Sequence, residues 1–178
     1  MRDNETQHDV ALRKRKHLPR LDRILVRGAP VYFITVCVES RARVLADRAV
    51  AEVLTEAWRH SYEAHGWMIG RYLVMPDHVH FFASPGLDTA RDLSVFMGCW
   101  KRATTIRIRK LQAAGHRRMP RPTERPFAWQ KEFFDHLLRS DESYAQKWDY
   151  VRQNPVRAGL VSDPDGWPQQ GEIHPLHL

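Results

Sequence analysis

Two strand-length apolar runs, Trp67 to Val74 and His78 to Ala83, are separated only by Met75, Pro76 and Asp77. Proline and aspartate suit a tight turn, so the pair predicts a hairpin. The run Val31 to Val38 is β-branched and aromatic, and predicts a first strand. Between them Val50, Val53, Leu54, Ala57, Trp58 and Ser61 recur at spacings of three and four, the mark of an amphipathic helix of about 16 residues. After the hairpin, Leu93, Phe96, Met97, Trp100 and Ile108 mark a second helix, and Phe133 to Leu138 reads as a fourth strand. Ser140 is placed to cap a third helix, with Asp141 and Glu142 in its first turn and Pro155 stopping it near Gln153 or Asn154. Strand, helix, strand, strand, helix, strand, helix is the ferredoxin-like split βαβ order with one added helix. The expectation is an α+β fold with a four-stranded antiparallel sheet, helices packed on it and an added C-terminal helix. Such a fold hosts RNA-binding modules, enzymes and metal carriers alike, so it leaves function open.

The organisation expected is a basic N-terminal arm over 1–29, broken by Pro19, a single domain over 30–161, and an irregular tail over 162–178 containing Pro164, Gly166, Pro168 and Gly171. The 178 residues carry a formal charge of +7, and Lys and Arg crowd into Arg13 to Arg27 and Lys101 to Arg125. That balance favours a polyanionic partner. The candidate contacts are Arg13, Lys14, Arg15, Lys16 and Arg20 on the arm, with Lys101, Arg102, Arg107, Arg109 and Lys110 on the outer face of the second helix. Cys37 and Cys99 are too few and too far apart for a disulfide framework or a zinc ribbon. No apolar run approaches the length of a membrane span, and a cytoplasmic, nucleoid-associated protein is expected.

Successive strand residues point to opposite faces, so His78 and His80 share one face and two imidazoles there are able to grip one metal ion. The same spacing also describes two half-exposed strand histidines. On the third helix Tyr144, Trp148 and Val151 form one narrow apolar stripe, and Tyr150 lies well away from its centre, four residues from Asn154. Helix geometry alone is equally consistent with an ordinary flanking tyrosine. His136 in the fourth strand reads as a structural histidine, and Trp100 and Trp129 read as core.

Three blocks carry more. The runs Tyr72 to Phe82 (YLVMPDHVHFF), Trp129 to Arg139 (WQKEFFDHLLR) and Tyr150 to Val161 (YVRQNPVRAGLV) resemble, in order, those of the REP-associated tyrosine transposases, members of the single-tyrosine His-hydrophobe-His group. The resemblance implies that His78 and His80 bind a divalent metal, Mg2+ or Mn2+, that Tyr150 is the nucleophile, and that Asn154 is a third ligand. It implies cleavage and rejoining of single-stranded DNA through a 5′-phosphotyrosine, in DNA transposition or the processing of REP elements. The implied partner is the hairpin of a repetitive extragenic palindrome, bound by a monomer rather than a dimer. An asparagine before a proline is equally at home ending a helix. The competing reading is a non-catalytic protein that binds single-stranded DNA or RNA on the same fold.

Overall fold

The computed structural model describes residues 29–86, 90–115, 126–138 and 144–176. Arg13, Lys14, Arg15, Lys16 and Arg20 of the arm, most of the Arg-rich loop, and the cap expected at Ser140 lie outside the described residues.

Strand β1 (Tyr32–Cys37) follows from the apolar run that suggested it. Its Ile34 and Val36 are fully buried on one side of the sheet, while Phe33, Thr35 and Cys37 point to the other. Asp47 then caps helix α1 (Arg48–Arg59), its carboxylate accepting from the backbone N–H of Ala49 at 2.8 Å and of Val50 at 3.4 Å. Val50, Leu54 and Trp58, one turn apart, are all fully buried, each contributing on the order of 2 kcal/mol of apolar transfer. The single helix of about 16 residues expected here breaks at His60, and a short α2 (Ser61–His65) continues to Gly66, whose φ of 75° ends it in the left-handed region.

Strands β2 (Trp67–Met75) and β3 (His78–Pro85) form the expected hairpin, with Met75 opposite His78 across a loop of Pro76 and Asp77. Backbone bonds from Val38 N–H to the Asp77 carbonyl (2.9 Å) and from Leu45 N–H to the Pro76 carbonyl (2.8 Å) fasten this loop to the chain after β1. Helix α3 (Leu93–Ala113), strand β4 (Phe134–Leu137), helix α4 (Tyr144–Arg152) and a four-residue α5 (Asn154–Arg157) follow. Pro155 does interrupt the last helix, because it lacks the N–H that would continue the ladder, but α5 resumes with Pro155 in its first turn.

The sheet is antiparallel with order β4-β1-β3-β2-β5, five strands where four were expected. The fifth, β5 (Gln170–Glu172), comes from the tail expected to be irregular, and pairs with β2 through Arg71 opposite Glu172. The tail is held by Trp167, whose indole N–H donates to the Val74 carbonyl at 3.0 Å, and by buried Leu176. A three-residue strand between prolines and glycines is too short to show a period of two.

The sheet separates two cores. One face, with Ile34, Val36, Val79 and Phe81, is covered by α1 and α3 through Trp58, Phe96, Trp100 and Ile108. The other face, with Phe33, Leu73, Met75 and Phe82, is covered by α4 through Trp148 and Val151, and by Leu176. Among the described residues no helix is long and apolar enough to cross a membrane.

Candidate active site

His78, His80 and Phe82 alternate along β3, and Phe82 belongs to the α4 face, so both histidines stand on the α4 side of the sheet. His80 stacks on Phe33 with ring centres 5.4 Å apart, which fixes its ring plane. The two rings lie edge to face, and their Nε2 atoms approach to 3.1 Å. Each Nδ1 has its own partner: Asp77 Oδ1 at 2.6 Å for His78 and Thr35 Oγ1 at 2.8 Å for His80.

With Nδ1–H of His78 donated to the Asp77 carboxylate, its Nε2 carries a lone pair. The Thr35 hydroxyl suits either tautomer of His80, since it both donates and accepts. Burial pushes the His80 ring down to about 3, with smaller contributions from the charges of His78, Arg41 and Arg157. Burial likewise lowers His78, opposed by Asp77. Both imidazoles are therefore neutral at neutral pH, the state in which a histidine ligates metal.

Arg41 completes the surroundings. Its Nε pairs with Asp77 Oδ2 at 2.7 Å, one Nη donates to Cys37 Sγ at 2.8 Å, and the other lies 3.5 Å from His78 Nδ1. Burial raises the Asp77 carboxyl, but the hydrogen bonds and charges of His78 and Arg41 outweigh it and hold the group below the usual carboxylate range. Ser40 and Arg41 both adopt left-handed backbone, with φ of 57° and 55°. Two such residues in succession cost on the order of 1–3 kcal/mol each, and the turn that accepts this cost is the one that aims Arg41 at the histidines.

The donor set fits a metal at this point. Two nitrogens about 2.1–2.2 Å from one ion at adjacent octahedral positions are about 3.0–3.1 Å apart, the spacing seen here. Among the described residues no group of three His, Cys, Asp or Glu side chains gathers around one point.

Helix α4 carries two tyrosines that the structure separates. Tyr144 is partly buried, packs edge-on against Phe82, and accepts the Arg71 N–H at 2.9 Å. Burial drives its phenol up to about 12. Tyr150, by contrast, is 65% exposed. The expected stripe of Tyr144, Trp148 and Val151 does face the core.

Asn154 turns its side chain back onto the α4–α5 junction, Nδ2 donating to the Val151 carbonyl of α4 at 2.8 Å and Oδ1 accepting from Arg157 of α5 at 2.9 Å. Arg157 also donates to the Tyr150 carbonyl at 2.9 Å and lies 4.4 Å from the centre of the Tyr150 ring. Thr35, Arg41, Asp77 and Arg157 were not singled out by sequence. Only Asp77 carried a signal, as the residue next to His78 and in the turn.

The five basic residues expected along α3 sit on a helix that covers the face opposite the histidines. Three have protein partners: Lys101 donates to the carbonyls of Gln130, Lys131 and Glu132, Arg107 pairs with Glu56, and Arg109 donates to the Phe127 carbonyl. Arg102 and Lys110 are exposed. His136 of β4 lies opposite Phe33 of β1 in the ladder, while His78 pairs with Cys37 at the far end of β1. Phe134 lies across from Thr35, in the same ladder row as His80, and is 43% exposed. Trp100 and Trp129 are core residues, their rings 5.2 Å apart.

The model of the family described as "Transposase IS200 like" matches residues 30–154. The chain belongs to this transposase family. It is 23% identical over 147 residues to the REP-associated tyrosine transposase of Escherichia coli K12, covering 82% of this chain and 78% of that one. It is 24% identical over 139 residues to a Haemophilus influenzae protein provisionally given the same description, covering 78% and 77%. Among solved structures, a REP-associated tyrosine transposase bound to a REP hairpin superposes with a TM-score of 0.58 at 23% identity, over 83% of this chain and 79% of that one. That likeness establishes the fold, the fifth strand extending an otherwise expected architecture.

Proposed function

We propose that this IS200-like transposase cuts and rejoins single-stranded DNA, with Tyr150 as the nucleophile. The observation that carries the reading is the pairing of two converging, neutral imidazoles with an exposed tyrosine on the helix that covers their side of the sheet, while the other tyrosine of that helix is buried and bonded.

The phenol oxygen of Tyr150 attacks a phosphodiester phosphorus, the bond from phosphorus to the 3′ oxygen breaks, and the phenolic proton is lost as the 3′ oxygen gains one. The product is a 5′-phosphotyrosine and a free 3′-hydroxyl. Attack by a 3′-hydroxyl on the phosphotyrosine reverses the exchange, one phosphodiester for another, with no nucleotide triphosphate. His78 and His80, with Asn154 as a third ligand, would hold a divalent ion, Mg2+ or Mn2+, that supplies Lewis-acid polarisation of the phosphate. Asp77 keeps the His78 ring in the orientation and tautomer that ligation requires, and the Thr35 hydroxyl accepts the Nδ1–H of His80 when that ring ligates through Nε2.

The strand is read as crossing the histidine face, with Phe134 offering an apolar ring there to a base. Arg102, Lys110 and the N-terminal arm supply phosphate contacts from the periphery. A hairpin of a repetitive extragenic palindrome, bound by a monomer at the nucleoid, is the substrate and setting proposed.

The test is incubation with labelled hairpin DNA and Mn2+, followed by denaturing electrophoresis. A denaturation-resistant adduct is expected for the parent and absent for Tyr150→Phe. Salt-sensitive binding that never yields an adduct or a cut strand, with any metal, would instead identify a non-catalytic binding protein.

A further inference from the structure

Arg157 touches both residues proposed to act on α4 and α5, Tyr150 and Asn154. Its Nη2 donates to the Tyr150 carbonyl and to Asn154 Oδ1, each at 2.9 Å, and its guanidinium lies over the Tyr150 ring. Three other arginines among the described residues are matched by carboxylates: Arg41 by Asp77, Arg71 by Glu172, Arg152 by Asp165. Among the described residues Arg157 has no carboxylate within ion-pair distance. It is exposed, and its positive field is one of the lesser influences that depress His80, behind burial and the charges of His78 and Arg41.

An exposed guanidinium with no carboxylate partner among the described residues is a ready receptor for a phosphate oxygen, which its planar fork matches in geometry and charge. The same position sets it against a divalent cation in two ways. It occupies a lone pair of the amide oxygen that would ligate the ion, and its charge repels the ion. A phosphodiester relieves both, since it draws the guanidinium off Asn154 and neutralises it.

We propose that Arg157 is a phosphate-contacting residue that makes metal and DNA binding interdependent, weakening metal binding by the free protein and strengthening it once a phosphodiester is bound. The inference rests on the metal site proposed above, with Asn154 as its third ligand. It separates from a purely structural role by sign. An arginine that merely braces α5 would, when removed, loosen the site for metal and DNA alike.

The experiment is a Mn2+ titration followed by electron paramagnetic resonance, on the full chain, with and without a hairpin oligodeoxynucleotide bearing a single-stranded flank. Arg157→Gln is expected to bind Mn2+ alone about five-fold more tightly, the effect a unit charge exerts on a dication at close range in a solvated site. Its Mn2+ affinity should respond little to the DNA, while the parent's rises several-fold, and its DNA cleavage at saturating Mn2+ should fall about ten-fold or more. Arg157→Lys, which keeps the charge, should stay near the parent for Mn2+ alone and recover part of the response to DNA. It also provides the comparison if the glutamine variant melts early. Unchanged or weaker Mn2+ binding by Arg157→Gln, or an undiminished response to DNA, overturns the inference. Failure of the parent itself to bind Mn2+ refutes the metal site proposed above, and this inference with it; a parent that binds Mn2+ but forms no adduct refutes only the assignment of Tyr150.

Discussion

Thr35→Val removes one hydroxyl beside His80 and leaves a β-branched side chain of similar shape in a central strand. The lost contact is the 2.8 Å bond to His80 Nδ1. For His80 to present a lone pair at Nε2 its proton must sit on Nδ1, and in the variant that N–H faces a methyl group. The ring is buried enough to be pushed down to about 3, so water is a poor substitute. An unsatisfied buried donor costs about 1–3 kcal/mol, and the loss falls on the metal-bound form, because the unligated ring can move its proton to Nε2 and donate to His78 instead. That corresponds to roughly 10–100-fold weaker metal binding, the range typical when the outer partner of a ligating histidine is removed. Mn2+ affinity from electron paramagnetic resonance is the assay, with thermal melting to verify the fold and Thr35→Ser expected to lie close to the parent. Mn2+ affinity within about two-fold of the parent in Thr35→Val would refute the argument that this hydroxyl stabilises the ligating tautomer.

Four further outcomes are expected. His80 is depressed from its ordinary value to about 3 by burial, so the unfolded chain takes up a proton near pH 6.5 that the folded chain refuses until about pH 3. Stability of the metal-free protein is therefore full above about pH 6.5 and falls toward pH 3 by up to about 1.4 kcal/mol per pH unit, with a shallower slope for His80→Gln in urea melts. Gly70→Ala puts a methyl group 2.6 Å from the Tyr144 hydroxyl and 2.7 Å from Leu176 Cδ1, and should lower urea-unfolding stability by about 2–4 kcal/mol through overpacking and loss of the Tyr144 to Arg71 bond. Lys101→Met strips the donor from three carbonyls and should destabilise the fold by about 1–3 kcal/mol, while the salt dependence of DNA binding stays as in the parent. Phe134→Ala should weaken binding of single-stranded DNA by about 5–100-fold with little change in melting, since its half-exposed ring contributes more to a stacked base than to the core.

Local signals carried much of this molecule. The hairpin from Trp67, the helix stripe of Val50, Leu54 and Trp58, and the common face of His78 and His80 all follow from periodicity, which depends only on neighbours along the chain. So does the displacement of Tyr150 from the stripe of Trp148 and Val151. The features that were not legible are contacts between distant segments. A shift of register between Ile69 and Tyr72 moves the buried side of β2 from odd to even residues, and only the approach of Tyr144 and Leu176 to Gly70 accounts for a glycine there. The basic face of α3 was readable as a pattern, but which side of the sheet it covers was not, because helical periodicity says which residues are buried and nothing about against what.

The histidine pair and the tyrosine show the division most clearly. Sequence by itself determined that two imidazoles share a face of a strand and that a tyrosine stands off the packing stripe of a helix. Tertiary structure decided that the helix covers that same face, that Asp77 and Thr35 take the two Nδ1 atoms and leave the Nε2 atoms 3.1 Å apart, and that Arg157 holds Asn154 and the tyrosine together. The reason is physical: a side chain's face is set by the dihedral repeat of its own element, whereas its partners are set by how the elements pack, and Thr35 meets His80 across 45 residues of chain.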